Sequence, residues 1–529
     1  MKYLISILLT IFISGIAFSQ KNTSSYISVK SKYALDYPYS YIPPVAYPVA
    51  PDSIDVVRLE HKAFWRASAE TVGFNLLLNA FDRYVLNGKY SKISWTSVKN
   101  NLRKGFVWDD DALDTNLFGH PYHGSFPYNA GRSNGYNFWQ SSLFGVGSSL
   151  MWELFMENTY PSINDVIATP IGGTAFGEVL YRTSDLLLDD RSEGWERFGR
   201  EAGAFLIDPM RGFTRIVTGR AWEHRATTGR RFGIPIVRLS FSLGSRLLLF
   251  HDYQQYAKAG LTGRVNVEYG EKFASRTRYP YDYFTFLFDF DVMKTQPIVS
   301  KVEIMGRLLS KELHDSETNH VSVGLFQHFD YMDSDTISAQ PTHNILPECL
   351  VPYKLGVPAS VGGGILARHT QAPQWQVEGF AHINAVLLGG ILTDFYRSDK
   401  RNYNWGSGFS VKAGVHWFNR KIGLDLGANL RMFQLYTIKG SPLDFKDYEF
   451  ILEPNVQGDK SNANFLNLNF YFNLRLWQEL YLTGLFDWYS RHTHYLDLKL
   501  KDDLYLYHTK ATRFKSNQLG IKLMLTYNI

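Results

Sequence analysis

The chain has 529 residues, a formal net charge of +5 and a single cysteine, Cys349, and 16% of its residues are aromatic. So high an aromatic content excludes a disordered chain, and the small net charge gives no footprint for nucleic acid. The mean hydropathy of −0.21 excludes a bundle of ordinary membrane-spanning helices. A transmembrane β-barrel remains, because its apolar residues alternate with polar ones and leave the average near neutral.

The N-terminus has the pattern of a secretory signal peptide over residues 1–19. Lys2 supplies a positive charge ahead of the apolar run from Leu4 to Ile13, and small residues precede Gln20. We therefore predict cleavage of the signal peptide before Gln20. The mature protein is then exported, and we expect it in the outer membrane of a Gram-negative bacterium.

Residues 20–60 are rich in tyrosine and proline, as in Tyr37-Pro38-Tyr39 and Tyr47-Pro48. This segment has neither a helical nor a strand period, so it is predicted to be an extended arm. Such an arm could engage a periplasmic partner.

Residues 61–225 are predicted to form an α-helical domain, because apolar residues recur there at helical spacing. The candidate helices are His61 to Leu86, Tyr136 to Glu157, Thr174 to Asp189 and Gly194 to Leu206. Proline and glycine residues, including Pro121, Pro161 and Pro170, are interpreted as marking the connections. We expect this domain to plug or cap a barrel, and Trp65, Trp139 and Trp152 to pack its helices together.

Residues 232–529 have a period of two, which is typical of strands. Phe284, Phe286, Phe288 and Phe290 alternate with more polar residues, and segments of this kind run for about 9–14 residues. Tilted transmembrane strands need about 9–11 residues, whereas soluble strands have about 5–6. The pattern predicts an all-β membrane barrel of about twelve antiparallel strands, with ten to fourteen allowed.

The helical region carries polar residues that suggest a site. Glu153 and Glu157 share one face of an otherwise apolar helix. One interpretation is a pocket in which Glu153, Glu157, Asp165 and His120 act as acid and base on a lipid or glycan bond. The alternative is a ligand-binding or purely structural cluster that comprises His120, His123, Arg132, Asn164, Asp165, Glu178 and Arg182. His120 and His123 flank a proline in a segment interpreted as a loop, which is a poor metal signature, so we predict no metal and no cofactor.

Several short motifs in this region resemble an uncharacterised family of Gram-negative envelope proteins, the domain of unknown function three-nine-four-three. The motifs are His120-Pro121, Arg132 to Trp139, Trp152-Glu153 with Glu157, Pro161 to Asp165, Thr169-Pro170, Gly172-Gly173 and Gly177-Glu178. They cover about a hundred residues. The resemblance implies an outer-membrane β-barrel protein and implies no activity.

The expected function is therefore coarse. We predict a non-enzymatic outer-membrane barrel that serves envelope integrity or the binding or passage of a small or lipidic solute. An envelope hydrolase and a periplasmic interaction module remain as alternatives. The expected partners are outer-membrane lipid and the barrel-assembly machinery, and no nucleic acid.

Overall fold

The computed structural model describes residues 62–233, 235–250, 256–293, 297–334, 337–338, 349–372, 375–394, 402–441, 456–496 and 513–529. The predicted signal peptide and the Tyr/Pro-rich arm lie outside the described residues. The described chain forms a helical domain followed by a closed barrel.

The helical domain contains seven α-helices among the described residues. They are α1 (Phe64–Tyr84), α2 (Trp95–Lys104), α3 (His120–Ser133), α4 (Phe138–Met151), α5 (Ile163–Leu187), α6 (Gly194–Ile207) and α7 (Pro209–Val217). A π-helical turn, Thr115–Gly119, precedes α3, and a second, Trp152–Met156, extends α4. The four helices predicted from the sequence correspond to α1, α4, α5 and α6.

Prolines misled the prediction of helix boundaries. The structure places His120 and His123 in the first turn of α3, not in a loop, because Pro121 stands where a helix needs no backbone donor. Helix α5 begins at Ile163, not at Thr174, because the Ser162 side chain caps it. Pro170 lies inside α5 and does not end it.

The barrel has twelve antiparallel strands, which confirms the predicted number. They are β1 (Val237–Phe250), β2 (Tyr256–Gly270), β3 (Tyr283–Val292), β4 (Val299–Asp315), β5 (Asn319–Asp333), β6 (Lys354–Ala372), β7 (Trp375–Leu392), β8 (Tyr403–Asn419), β9 (Leu424–Thr437), β10 (Ser461–Trp477), β11 (Leu480–Tyr495) and β12 (Arg513–Asn528). Consecutive strands pair, and β1 pairs with β12 to close the ring. Two short strands, Ile337–Ser338 and Cys349–Leu350, pair within the β5–β6 connection.

The two faces of the barrel follow the predicted alternation. On β10, Phe470 and Leu474 face outward and are exposed, whereas Asn467 and Asn469 face the lumen and are buried. Outward apolar and inward polar residues are the pattern of a transmembrane barrel.

The helical domain lies against the outward face of this barrel. Phe176 of α5 contacts Phe329 with ring centroids 4.7 Å apart, and Phe118 contacts Tyr331 at 5.3 Å. Phe329 and Tyr331 share the outward face of β5 with Leu325, which is exposed. The expected position of the helices, plugging or capping the barrel, is therefore wrong for the described residues. The wall offers α5 a matching apolar surface, whereas inward side chains of the barrel itself occupy the lumen.

The predicted role of the tryptophans, packing the helices together, is confirmed for one of the three. Trp152 is buried among the helices, whereas Trp65 is 83% exposed and Trp139 is 58% exposed.

Among the described residues, no helix combines the length and the apolar character that crossing a membrane requires.

Candidate functional site

The lumen is bridged from wall to wall by charged and polar side chains. The Lys301 ammonium on β4 donates to the Asn467 amide oxygen on β10 at 3.3 Å, and these strands stand opposite each other in the ring of twelve. Further pairs join walls that are not adjacent: Arg431 with Glu303, Lys412 with Asp330, and Lys522 with Asp289. This lumen network pairs these inward charges across the barrel and occupies the space between the walls.

An aromatic cluster fills another part of the lumen. Tyr353 stacks on Tyr489 with ring centroids 4.3 Å apart, and Phe465 contacts Tyr353 at 5.4 Å. All three rings are buried. Because Tyr353 precedes β6 while Tyr489 lies on β11, the cluster crosses the barrel instead of lining one wall.

A second concentration of polar groups lies in the helical domain; we call it the His120 cluster. It comprises Asp109, Asp111, His120, Glu153 and Asp165. His120 stands in the first turn of α3, Asp165 in the first turn of α5, and Glu153 on the π-helical turn after α4. The helix termini thus bring residues from three elements together.

The geometry of the cluster is centred on the His120 ring. Its Nε2 atom lies 3.8 Å from Asp111 Oδ2 and 3.6 Å from Asp165 Oδ2. Asn116 donates to Asp109 Oδ1 at 2.8 Å and to the Tyr403 hydroxyl at 2.8 Å. Tyr403 belongs to β8, so the cluster touches the barrel wall directly.

The charges of the cluster act on one another. Burial opposes protonation of His120, but the nearby carboxylates of Asp111 and Asp109 outweigh it and raise its pKa to about 9. Burial and the neighbouring Glu157 carboxylate raise the pKa of Glu153 to about 8. Burial likewise raises the pKa of Asp165, with the charge of Asp109. At neutral pH the Glu153 carboxyl is therefore mostly protonated and stands near an imidazolium.

The donor set permits two kinds of chemistry. Asp109, Asp111 and His120 offer ligand atoms within 4.8 Å of one another, and one imidazole with two carboxylates suits zinc or another first-row divalent ion. Protonated carboxyls that keep their protons at neutral pH can also act as general acids. Asp109 and Asp111 were not among the predicted site residues, although the run of three aspartates at 109–111 was a visible signal.

Two predicted residues border the cluster without entering it. Trp152 Nε1 donates to Glu157 Oε1 at 2.5 Å, and this bond holds the Glu157 carboxyl at the edge. His123 Nε2 lies 3.3 Å from Asn75 Oδ1, and its ring contacts Trp152. Burial, with the charge of His120, lowers the pKa of His123 to about 3, so this ring is neutral.

The remaining predicted residues form a separate group that is centred on the Glu178 carboxylate. Arg132 Nε and Arg182 Nε each donate to the Glu178 carboxylate at 2.7 Å, and the Tyr128 hydroxyl donates to it at 2.6 Å. Despite its complete burial, these partners keep the pKa of Glu178 well below its usual range. Arg182 also donates to the Pro280 carbonyl next to the barrel. This triad joins helices to the barrel, so the single predicted cluster divides in two: His120, Asn164 and Asp165 on one side, Arg132, Glu178 and Arg182 on the other.

Residues 105–210 match the model of a family described as a domain of unknown function (DUF3943), which confirms the resemblance for this region. The matched segment includes the His120 cluster and the triad. No curated protein matches the chain.

Solved structures that are similar to this chain include bacterial channels. A NanC porin is 7% identical, with 53% of this chain and 98% of that chain covered and a TM-score of 0.24. OmpT, an outer-membrane protein of Vibrio cholerae, is 8% identical, with 55% and 97% covered and a TM-score of 0.23. The Pseudomonas putida toluene transporter TodX is 6% identical, with 56% and 90% covered and a TM-score of 0.21. The assignment of the barrel rests on the strand pairing of this chain.

Proposed function

We propose that this protein is an outer-membrane barrel that binds a lipidic solute at its helical domain, and that its lumen is no passage for solutes. The observation that carries the proposal is the docking of the helical domain on the outward wall, where a membrane protein meets lipid. The apolar belt of the barrel and the sequence pattern of an exported protein support the outer-membrane location.

The lumen network supports the second half of the proposal. A channel needs a continuous water-filled path, whereas Lys301 and Asn467 meet across the full width of this barrel. Arg431, Lys412 and Lys522 are each paired with an acid from a strand that is not adjacent, so opening a path would leave these charges unpaired. Unpaired buried charges cost several kcal/mol each.

The test is reconstitution of the full chain into planar bilayers, with an open porin as control. We expect no stepwise conductance from this protein and, from the same preparation, a lipid or lipid-like molecule that copurifies and is identified by mass spectrometry. Ohmic conductance comparable to that of the porin would contradict the closed lumen. A preparation free of any bound amphiphile would contradict the binding role.

A second candidate function, hydrolysis of a lipid ester, is favoured by the His120 cluster. Its buried acids and imidazole are the groups that general acid–base catalysis uses. Under this function, the His120→Gln variant loses hydrolysis of a phospholipid ester in detergent micelles, and the variant of an exposed histidine, His369→Gln, keeps it. Equal rates in both variants, or no turnover by the unaltered protein, would exclude the second candidate.

A further inference from the structure

The helices of the domain have their polar residues inside and their apolar residues outside. On α1, the buried positions include Glu70, Thr71, Asn75, Asn79 and Asp82. The exposed positions of the same helix include Phe64, Trp65, Val72, Leu76 and Leu77. A helix on the surface of a water-soluble protein has the opposite arrangement.

The buried polar residues of α1 have partners inside the domain. Glu70 Oε2 accepts from Asn134 at 2.6 Å and from the Thr214 hydroxyl at 2.8 Å. Asn75 and Asn79 donate to backbone carbonyls of other elements, at 3.2 Å and 2.7 Å. When the surroundings are as apolar as the helix surfaces, burying apolar side chains gains nothing. Hydrogen bonds between the helices then help to hold the domain together.

The same inversion recurs on other helices. On α4, Ser141, Ser148 and Ser149 are buried, while Leu143 is 68% exposed. On α7, Arg211 and Arg215 are buried and paired with acids, while Ile216 and Val217 are exposed. Because the same arrangement is present on α1, α4 and α7, the inversion is a property of the domain and not of one helix.

The position of the domain identifies what covers these exposed faces. The wall strands that carry α5 also present outward apolar side chains beside it, among them Leu325 and Ile383, which are exposed. Helices α3 and α4 pack on α5, and α1 and α7 pack on α3, so the domain extends outward from this belt. Whatever medium contacts Leu325 and Ile383 also contacts the outer surface of the domain.

From this continuity we infer that the helical domain is embedded in the membrane beside the barrel, with its apolar faces in the acyl chains of the surrounding lipid. Exposed apolar side chains are unfavourable in water and carry no such penalty in hydrocarbon. The inference rests on the proposed membrane location of the barrel. It adds that lipid contacts the helices as well as the strands.

The experiment measures the surroundings of single spin-labelled cysteines in the full chain, reconstituted into phosphatidylcholine vesicles, with Cys349→Ser as background. Leu76→Cys on α1 and Leu143→Cys on α4 test the helices. Ile383→Cys on β7 is the lipid reference, and Glu317→Cys, exposed in the turn between β4 and β5, is the water reference. Collisions of each label with oxygen, which enters lipid, are compared with collisions with a water-soluble nickel chelate.

We expect labels at positions 76 and 143 to have the same excess of oxygen collisions as the label at position 383. Chelate collisions at these two positions as frequent as at position 317 would overturn the inference. So would labels shielded from both reagents, because a protein partner or a second copy would then cover the helices. If the label at position 383 itself collides with the chelate, the proposed membrane location of the barrel fails, and this outcome is distinguishable from the others.

Discussion

Phe176 of α5 packs edge-on against Phe329 of β5, with their ring centroids 4.7 Å apart, and Phe329 is on the outward face of the barrel. Both rings are buried. This contact fixes the relation between the two parts of the molecule, because it places the centre of α5 on the surface that a bare barrel presents to lipid. The absence of a helix from the lumen, among the described residues, agrees with the lumen network.

Removing the Phe176 ring should loosen the helical domain from the wall. Truncation of a buried phenylalanine to alanine costs about 3–5 kcal/mol, so the Phe176→Ala variant should lower the thermal midpoint of the helical transition in detergent. Circular dichroism at a helical wavelength gives the measurement. Phe213→Ala removes an exposed ring of α7 and should leave that midpoint unchanged; equal shifts in both variants would argue against wall docking.

Glycines on α5 allow it to lie close to α3. A Cβ atom at Gly173 would lie 2.5 Å from the Gly124 carbonyl carbon, which is backbone and cannot move aside. Gly173→Ala should therefore destabilise the protein by about 1–3 kcal/mol. Gly147→Ala is the matched control, since no atom lies within 4 Å of the added Cβ and alanine favours the helix. The difference between the two midpoints tests the close approach of α3 and α5, and a harmless Gly173→Ala would refute it.

Removing the negative charge of Glu178 should strongly destabilise the folded protein. Glu178→Gln leaves the buried guanidinium groups of Arg132 and Arg182 facing a neutral amide. Breaking a buried ion pair costs about 3–5 kcal/mol, and chemical unfolding in detergent should record a loss of this size. Glu193→Gln, which removes an exposed carboxylate near His224, should cost at most about 1 kcal/mol. Comparable losses would mean that the triad is hydrated.

Glu153 should make stability depend on pH. Its pKa is raised from 4.5 to about 8 in the folded protein, so the folded state binds the proton more tightly than the unfolded state does. The stabilisation is fully present below pH 4.5 and is lost as the pH rises through 8. Glu153→Gln mimics the protonated acid and should flatten the fall of the thermal midpoint between pH 5 and pH 8. Because Glu153 and His120 interact electrostatically, the comparison records the titration of Glu153 together with its effect on His120. Parallel curves would show that Glu153 is ionised.

The sequence predicts the barrel well because strand alternation is local information. Asn467 and Asn469 stand at odd positions of β10 and Phe470 at an even one. The two asparagines face the lumen and the phenylalanine faces outward, as the alternation predicts. The number of strands follows from counting such segments. Closure of the barrel requires β1 to pair with β12. The sequence shows that the last strand is amphipathic, but it does not show which strand pairs with it.

The sequence predicts the helical domain less well, because an amphipathic pattern does not say whether water or lipid surrounds the helix. Apolar residues such as Leu76 and Leu77 indicate a helix but not what surrounds it, and they are exposed. The buried Asn75 and Asn79 carry the opposite signal. Deciding between the two faces requires knowledge of what surrounds the helix, and only the docking on the barrel supplies it.

The candidate site was predicted in part. Glu153, Asp165 and His120 do meet, since their elements end at one place, but Asp109 and Asp111 come from a segment without any period. The triad residues of α3 and α5 were predicted to join them. Asp165 and the triad residue Glu178 are far apart because both lie on the single long helix α5. From the sequence alone, Pro170 is interpreted as a break before that helix.

Cross-linking tests the central claim, that the helical domain docks on the outward wall, most directly. In the Cys349→Ser background, Phe176→Cys is combined either with Phe329→Cys, which is outward, or with its inward neighbour His328→Cys, and membranes are treated with a short bis-thiosulfonate reagent. We predict an efficient cross-link between positions 176 and 329, seen as a shift in gel mobility that a reductant reverses, and none between 176 and 328. A cross-link formed with position 328 alone would place α5 in the lumen and contradict the account.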